Sequence, residues 1–521
     1  MSVLAAKTRT SPPIDFDRFR LRSFLATLGA EELEIRDEPV DLVDVARLFE
    51  GSAKAILLRR VGPEQAELAG NVTGSRSRIA RAFGVAPADL LGEVARRLRV
   101  PQAVVEVPRG EAPVQQIVLT GDDVDLTKLP VHVQHGYDGA PYISASVDYS
   151  IDARSGLTNV GMRRLMLRGR RETGIDVNAP SDLRAIYEAS VRRGEPLPIA
   201  FAVGSHPIDH VAATMRVPGD ELEILAALRG APLGVVKCVT NDIRVPADSE
   251  WIIEGYLDPH GFAEKEGPYG EFLGYYGAVK KNPIFRVSAI THRKDALFQT
   301  STIGGHTIAR TDTAQLNALR TETSVWRALE TAVREPLAVY VTPSSGGAYN
   351  VRISLRQRVP GEARNAIAAA FGCIVNVKHV FVVDPDIDVF SDEQVDWALA
   401  TRFQGDRDLV VQTGMRAIPI DPSLEGSRTT AKVGFDLTVP FGGRGIETMV
   451  PEPPTFEGKR FPSVRAALED GPKRFEELVG AVGSRDGRDV VLELESLRGQ
   501  VAIGRDAEGR YLIDPSDEHK K

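Results

Sequence analysis

The chain has 521 residues, of which 42% are apolar and 26% charged, with a formal net charge of −8. That length accommodates three or four domains with ample core, and the composition is that of an ordinary soluble globular protein. The negative balance offers no global attraction to nucleic acid, and no segment approaches the ~20 apolar residues of a membrane span. Two cysteines, Cys238 and Cys373, lie outside any Cys-x-x-Cys pair, which argues against zinc ribbons and disulfide frameworks. Both sit in apolar runs and read as buried thiols of a reducing compartment. The first residues lack the apolar stretch of a secretory signal, so a cytoplasmic protein is expected.

In chain order, residues 1–15 read as a disordered tail. Residues 16–118 alternate helix-like runs ("LRSFLATLGA", "DLLGEVARRLR") with short strands ("AILLRRV", "AVVEVP"), as an α/β unit does. Residues 119–308 are rich in short apolar, β-branched runs, from "YISASVDYSID" through "TNVGMRRLMLRG" to "IFRVSAITH", and predict a barrel-like β domain. "ELEILAALRG" is a helix among them, ended by Gly230. Residues 309–336 predict a long linker helix, and residues 337–455 alternate strand and helix as a second α/β domain. Residues 456–521 hold three helical runs and a hairpin, a winged-helix-like extension. Its charges balance, so packing or assembly outranks DNA binding. The fold class is therefore α/β in the broad sense, an α+β multidomain chain.

"EKEGPYGEFLGYYG", residues 264–277, brings Glu266 and Glu271 to the two ends of a Gly-Pro-Tyr-Gly turn. Five residues apart, they converge on neither a helix nor a strand. A turn broken by glycine and proline can aim both inward, beside the aromatic surface of Phe272, Tyr275 and Tyr276. The bland alternative is a solvated turn. Upstream, Arg163 and Arg164 are adjacent in a strand and must face opposite ways, so one points inward and needs carboxylate partners. Glu266 or Glu271 could supply them.

These stretches resemble the UbiD-type decarboxylases, which use prenylated FMN. The resemblance runs from about Val124 to Phe441 and rests on "TNVGMRRLML", on "DELEILAALRGAPLGVVKCVTNDIRVPADSEWIIEGYL", on "EGPYGEFLGYYG", and on "VKHVFVVDPDIDVFSDEQVDWALATR". It implies a split β-barrel for the central, flavin-binding domain. It places Arg164, Glu266 and Glu271 on the family's catalytic arginine and glutamates. Asn159 and Glu221 fall on ligands of a divalent cation, Mn²⁺ or Mg²⁺, that meets the cofactor phosphate. Lys378 falls on a lysine approaching that phosphate, and Met215 lies near the loop that binds K⁺ and cofactor. Met162, Arg163 and Ser181 complete the implied cofactor surroundings. Where many members have a histidine ligand this chain has Asp182, an oxygen donor suited to a hard cation. Its other reading is that Ser181 and Asp182 merely cap a helix.

The resemblance implies a covalent adduct between substrate and prenylated flavin, which acts as electron sink while CO₂ leaves and a proton replaces it. Arg164 is expected to orient the substrate carboxylate, Glu266 to stay ionised beside it, and Glu271 to donate the proton. For Glu221 the residue-level alternative is a first-turn glutamate favoured by the helix dipole. His306, after Gly304 and Gly305, reads as a substrate contact or as an exposed turn. Phe435 and Leu437 read as a hydrophobic wall or as core. The favoured substrate is an aromatic or heteroaromatic carboxylate, fused rings of the phenazine type included. An unsaturated aliphatic or cinnamic-type acid, the reverse carboxylation, and an FMN-dependent oxidoreductase are the alternatives. A flavin prenyltransferase is the implied cofactor supplier, and a homodimer or larger homo-oligomer the expected assembly.

Overall fold

The computed structural model describes residues 14–513 apart from Val217 and Arg444, so most of the expected N-terminal tail lies outside the described residues. Two compact units divide the chain, one ending at Leu437 and the other beginning at Thr438.

The first unit opens with strands β1 (Leu33–Val40), β2 (Ala55–Val61) and β3 (Ala66–Gly70). Their sheet is completed by Phe298–Thr300, a strand from far downstream that pairs parallel to β3. The helix expected over residues 21–30 is a single short segment, Leu21–Leu25, before the chain turns into β1.

Six strands then close a barrel: β4 (Tyr142–Ile151), β5 (Thr158–Gly169), β6 (Glu172–Ile175), β7 (Leu197–Val203), β8 (Trp251–Leu257) and β9 (Ile284–His292). Every neighbour is antiparallel, in the order β8-β7-β4-β5-β6-β9, and β9 returns to β8. Closure removes all but the outermost unpaired edge groups. The barrel core is apolar, with Ile143, Leu165, Ile199, Phe201, Ile253 and Phe285 all buried. Three helices interrupt the strands: α1 (Asp182–Arg193), α2 (Pro207–Thr214) and α3 (Glu221–Arg229). Gly230 caps α3 in the left-handed conformation, φ +65°, as the sequence suggests. A buried ion triad ties α3 to its surroundings, with Arg229 pairing Asp209 at 2.6 Å and Asp248 at 2.7 Å.

Helix α4 (Asp312–Ala332) leads to a five-stranded sheet of β10 (Pro336–Val341), β11 (Asn350–Leu355), β12 (His379–Val383), β13 (Leu409–Arg416) and β14 (Thr429–Asp436). Its order is β10-β11-β12-β14-β13, parallel in the middle and antiparallel at both ends. Helices α5 (Glu362–Cys373) and α6 (Asp392–Arg402) complete this α/β layer. Cys238 is buried, whereas Cys373, at the end of α5, is only half-buried.

The second unit holds helices Val464–Glu469, Phe475–Val482 and Arg488–Arg498 and a hairpin of Ile503–Arg505 with Tyr511–Ile513. A single isolated β-bridge links Lys473 to Tyr511 of the hairpin. Val464, Leu468, Leu478, Val490, Leu494, Leu497 and Tyr511 form its own core. No helix among the described residues is long and apolar enough to cross a membrane.

Candidate active site

Strand β5 sends its two arginines to opposite faces, as alternation requires. Arg163 approaches Asp148 at 3.7 Å and donates to Ser181 Oγ at 3.5 Å. Arg164 meets a different set. Its Nε donates to Glu266 at 3.0 Å, its Nη1 to Glu271 at 3.1 Å, and its Nη2 to Asp176 at 2.9 Å. The guanidinium also lies 4.6 Å from the centre of the Tyr269 ring, within cation–π range.

The turn that carries both glutamates is held from outside. Glu266 ends a short ribbon, pairing with Lys280, and accepts from Asn282 at 3.1 Å. Gly267 has φ +92°, a conformation open to glycine at little cost. Beyond it, Gly139 donates to Pro268 O at 2.9 Å, and buried Asp138 accepts the Gly270 N–H at 3.0 Å. Tyr269 Oη donates to Gln134. The segment 134–139 is thus a template for the turn. A Cβ on Gly270 would meet the His135 ring at 2.4 Å. Glu264, at the start of the motif, is exposed.

Three carboxylates, Glu266, Glu271 and Asp176, therefore share Arg164, with Lys280 3.7 Å from Asp176 as the second cation. Burial raises the Glu271 pKa; Arg164 and Lys280 oppose the rise, and the charges of Asp176 and Glu266 add to it. Three acids facing two cations leave one negative charge uncompensated, and a proton on Glu271 relieves it. Burial pushes Arg164 down, but the three carboxylates outweigh it and hold the guanidinium charged.

On the other face of β5 a second acidic group gathers. The Val160 N–H donates to Glu221 at the start of α3, and Asn159 donates to Asp148 at 3.4 Å. Burial, with Asp148, Asp182 and Asp220 nearby, raises Glu221 to about 7. Asp148 is fully buried, and its Oδ1 accepts no hydrogen bond, with only the Arg163 Nε 3.7 Å away. This donor chemistry suits a hard cation. Yet no three acidic, histidine or cysteine side chains among the described residues converge to metal-holding distance. Ser181 caps α1, accepting from Arg184 at 3.3 Å, and Asp182 is the exposed first residue of that helix.

The remaining expected residues scatter. Met162 is half-buried on β5, and Met215 is buried in the core that includes α2 and α3. The Lys378 ammonium is held by Asp421 at 2.7 Å and Ser423 at 2.9 Å. His306 is exposed. Phe435 stacks on Phe381 with ring centres 4.7 Å apart, and Leu437 is fully buried beside Val383 and Ile387. Leu437 is a core residue and half-buried Phe435 packs against the same cluster, which favours the packing reading of both. Asp176, Lys280, Asn282 and Asp138 were not legible as partners of the site. Asp176 follows β6, and only the pairing of β6 with β5 carries it to Arg164.

Three family models match the chain in order: the N-terminal domain of 3-octaprenyl-4-hydroxybenzoate carboxy-lyase over residues 31–98, its Rift-related domain over 105–307, and its C-terminal domain over 314–437. An anhydromevalonate phosphate decarboxylase of Methanosarcina mazei is 31% identical, the match covering 80% of this chain and 95% of the relative. The UbiD-class enzyme HmfF of Pelotomaculum thermopropionicum, solved with FMN, superposes with a TM-score of 0.78 at 34% identity, covering 83% of this chain and 97% of that one. An evolved dimeric form of HmfF with prFMN gives 0.75 at 32% identity, covering 84% and 98%. A 3,4-dihydroxybenzoic acid decarboxylase from Enterobacter cloacae gives 0.75 at 27% identity, covering 84% and 98%. With all three domain models in register and a relative matched over nearly its whole length, this chain belongs to the UbiD family of carboxy-lyases.

Proposed function

We propose that the protein catalyses the reversible, non-oxidative decarboxylation of an aromatic or heteroaromatic carboxylic acid with prenylated FMN as cofactor. The observation that carries this reading is the Arg164, Glu266, Glu271 cluster, with Glu271 biased towards its protonated form. Removing CO₂ from an sp² carbon strands an electron pair that no side chain can accept. When bound, the prenylated flavin supplies that electron sink.

The chain supplies position and the proton. Arg164 offers a planar fork to the substrate carboxylate. The Nη1 site now occupied by Glu271 is the one a substrate can take, because Glu266 and Asp176 keep the other nitrogens. A protonated Glu271 surrenders that contact at little cost and then delivers its proton to the carbon that lost CO₂. Buried Glu266, fastened by Asn282, keeps the guanidinium in plane.

Asn159, Met162, Arg163, Ser181, Met215 and Glu221 are the residues we assign to hold the cofactor. Asn159, Glu221 and Asp182 would share a Mn²⁺ or Mg²⁺ ion, and K⁺ would sit near Met215. The acidic surroundings of Glu221 and the buried Asp148 oxygen that accepts no hydrogen bond support a cation there. Lys378 reaches a phosphate only by releasing Asp421.

A second reading has a specific observation behind it. Several curated relatives are named anhydromevalonate phosphate decarboxylases, which points to an acid bearing a phosphate. Co-expression with a flavin prenyltransferase, mass spectrometry of the bound cofactor and an acid panel test both. A prenylated flavin with turnover of aromatic acids supports the first reading, and turnover of phosphorylated unsaturated acids alone supports the second. Glu271→Gln is expected to abolish turnover while the flavin stays bound. Full activity in that variant would remove Glu271 from its role.

A further inference from the structure

Arg320 lies on α4, one residue beyond Leu319 and one turn beyond Leu316, both of which pack in the same core as Val211, Ala212 and Met215 of α2 and the loop after it. That loop continues with Arg216. Arg327, two turns along α4, donates from Nη1 to the Arg216 carbonyl at 3.2 Å. Arg216 acts electrostatically on Arg320, and Arg327 is tied to the Arg216 backbone, so the three arginines belong to one junction of α4 with the loop that ends at Glu221.

None of the three forms an ion pair within 4.0 Å among the described residues. Arg320 Nε is sealed from water without a hydrogen-bond partner. Burial, with the like charge of Arg216, pulls the Arg320 pKa down to about 10. The acids of these elements are committed elsewhere. Asp312 accepts from Thr73 and Thr302, Glu322 holds Arg76, Glu330 holds Arg99, and Asp220 accepts from Thr158 and Leu222. Arg320 is half-buried, and leaving its sealed Nε unpaired and its charge without a counter-ion is costly; its donors fit the oxygens of a phosphate as well as a carboxylate.

We infer that Arg320, with Arg216 and Arg327, forms a binding site for a phosphate monoester. A monoester brings up to two negative charges and three acceptor oxygens, a better match for three arginines than a single carboxylate. Two molecules could carry it, the 5′-phosphate of the flavin and a phosphorylated substrate. The identity of the carrier rests on the function proposed above; the site itself does not.

The test uses full-length, cofactor-free protein and reads binding rather than turnover. Wild type, Arg320→Met, Arg320→Lys and the exposed-residue double variant R216Q/R327Q are titrated with FMN and with riboflavin, which lacks the phosphate. If the flavin is the carrier, Arg320→Met weakens FMN by at least about tenfold, leaves riboflavin unchanged, and Arg320→Lys recovers part of the loss. If the substrate is the carrier, FMN binding is unaffected. Inorganic phosphate then raises the melting temperature of FMN-loaded wild type but not of Arg320→Met. Should Arg320→Met fail to fold, R216Q/R327Q gives the same two readings. The inference is overturned if FMN and riboflavin weaken together, or if neither FMN discrimination nor phosphate protection depends on these arginines. An enzyme inactive on every acid tested would defeat the proposed function and leave this result intact.

Discussion

Replacing Asp176 with asparagine tests the electrostatic balance of the site without touching either glutamate. Asp176 and Glu271 sit on different nitrogens of Arg164, at 2.9 and 3.1 Å. That arrangement puts the carboxylates roughly 6 Å apart, where two like charges repel by about 3 kcal/mol at an effective dielectric constant of about 20. Such a repulsion is one of the causes that hold the Glu271 pKa up. Lys280, 3.7 Å from Asp176, already opposes the rise at Glu271, and losing its ion-pair partner leaves that opposition intact while Asp176's repulsion disappears. The sign is fixed. Burial and its acidic neighbours raise the Glu271 pKa, so removing one neighbour lowers it and reduces the protonated fraction at any pH above it. If Glu271 is the proton donor, the alkaline limb of the kcat profile moves to lower pH by about 1–2 units. KM for the acid falls, because one negative charge has left the carboxylate's approach. Steady-state kinetics across pH on cofactor-loaded wild type and variant measures both. An alkaline limb that stays within about 0.3 units of wild type, in a variant with unchanged melting temperature, would refute the coupling.

Two other outcomes follow from the same geometry. Glu221 is held near 7 in the folded chain against an ordinary value of 4.5, so it favours the folded state below the ordinary value and loses that contribution as pH rises through about 7. Glu221→Gln should therefore stabilise the cofactor-free protein at pH 8 by up to about 3 kcal/mol relative to wild type. It should also cancel any stabilisation by added Mn²⁺; denaturant melts at low and high pH measure it, and an equal effect at both would count against the assignment. Gly270→Ala drives a Cβ into the His135 ring at 2.4 Å and should displace the Glu271 turn, with kcat falling at least about tenfold. His135→Ala added to Gly270→Ala should restore part of it, whereas independent losses in the double variant would mean that the turn is not templated by this segment.

Much of the fold was readable locally. β5 spans the run "TNVGMRRLMLRG", and α3 ends at Gly230, because strand alternation and a glycine stop are properties of a few consecutive residues. The opposed faces of Arg163 and Arg164 followed from the same alternation. The long helix was legible through its apolar spacing and spans Asp312–Ala332. The N-terminal sheet was less so, since its last strand, Phe298–Thr300, arrives from more than two hundred residues downstream.

What the sequence by itself determined is the set of charged residues that must find partners. It holds an arginine that faces inward on a strand and two glutamates bracketing a turn that neither helix nor strand would converge. Which partners they find was decided by the tertiary structure. Asp176 reaches Arg164 because β6 folds back on β5, Asp138 reaches Gly270 because the segment before β4 lies against the turn, and Leu437 is spent inside the C-terminal sheet. Periodicity is short-ranged and survives in the sequence. The distance between two charges depends on strand register and barrel closure, which are settled only when the whole sheet is assembled.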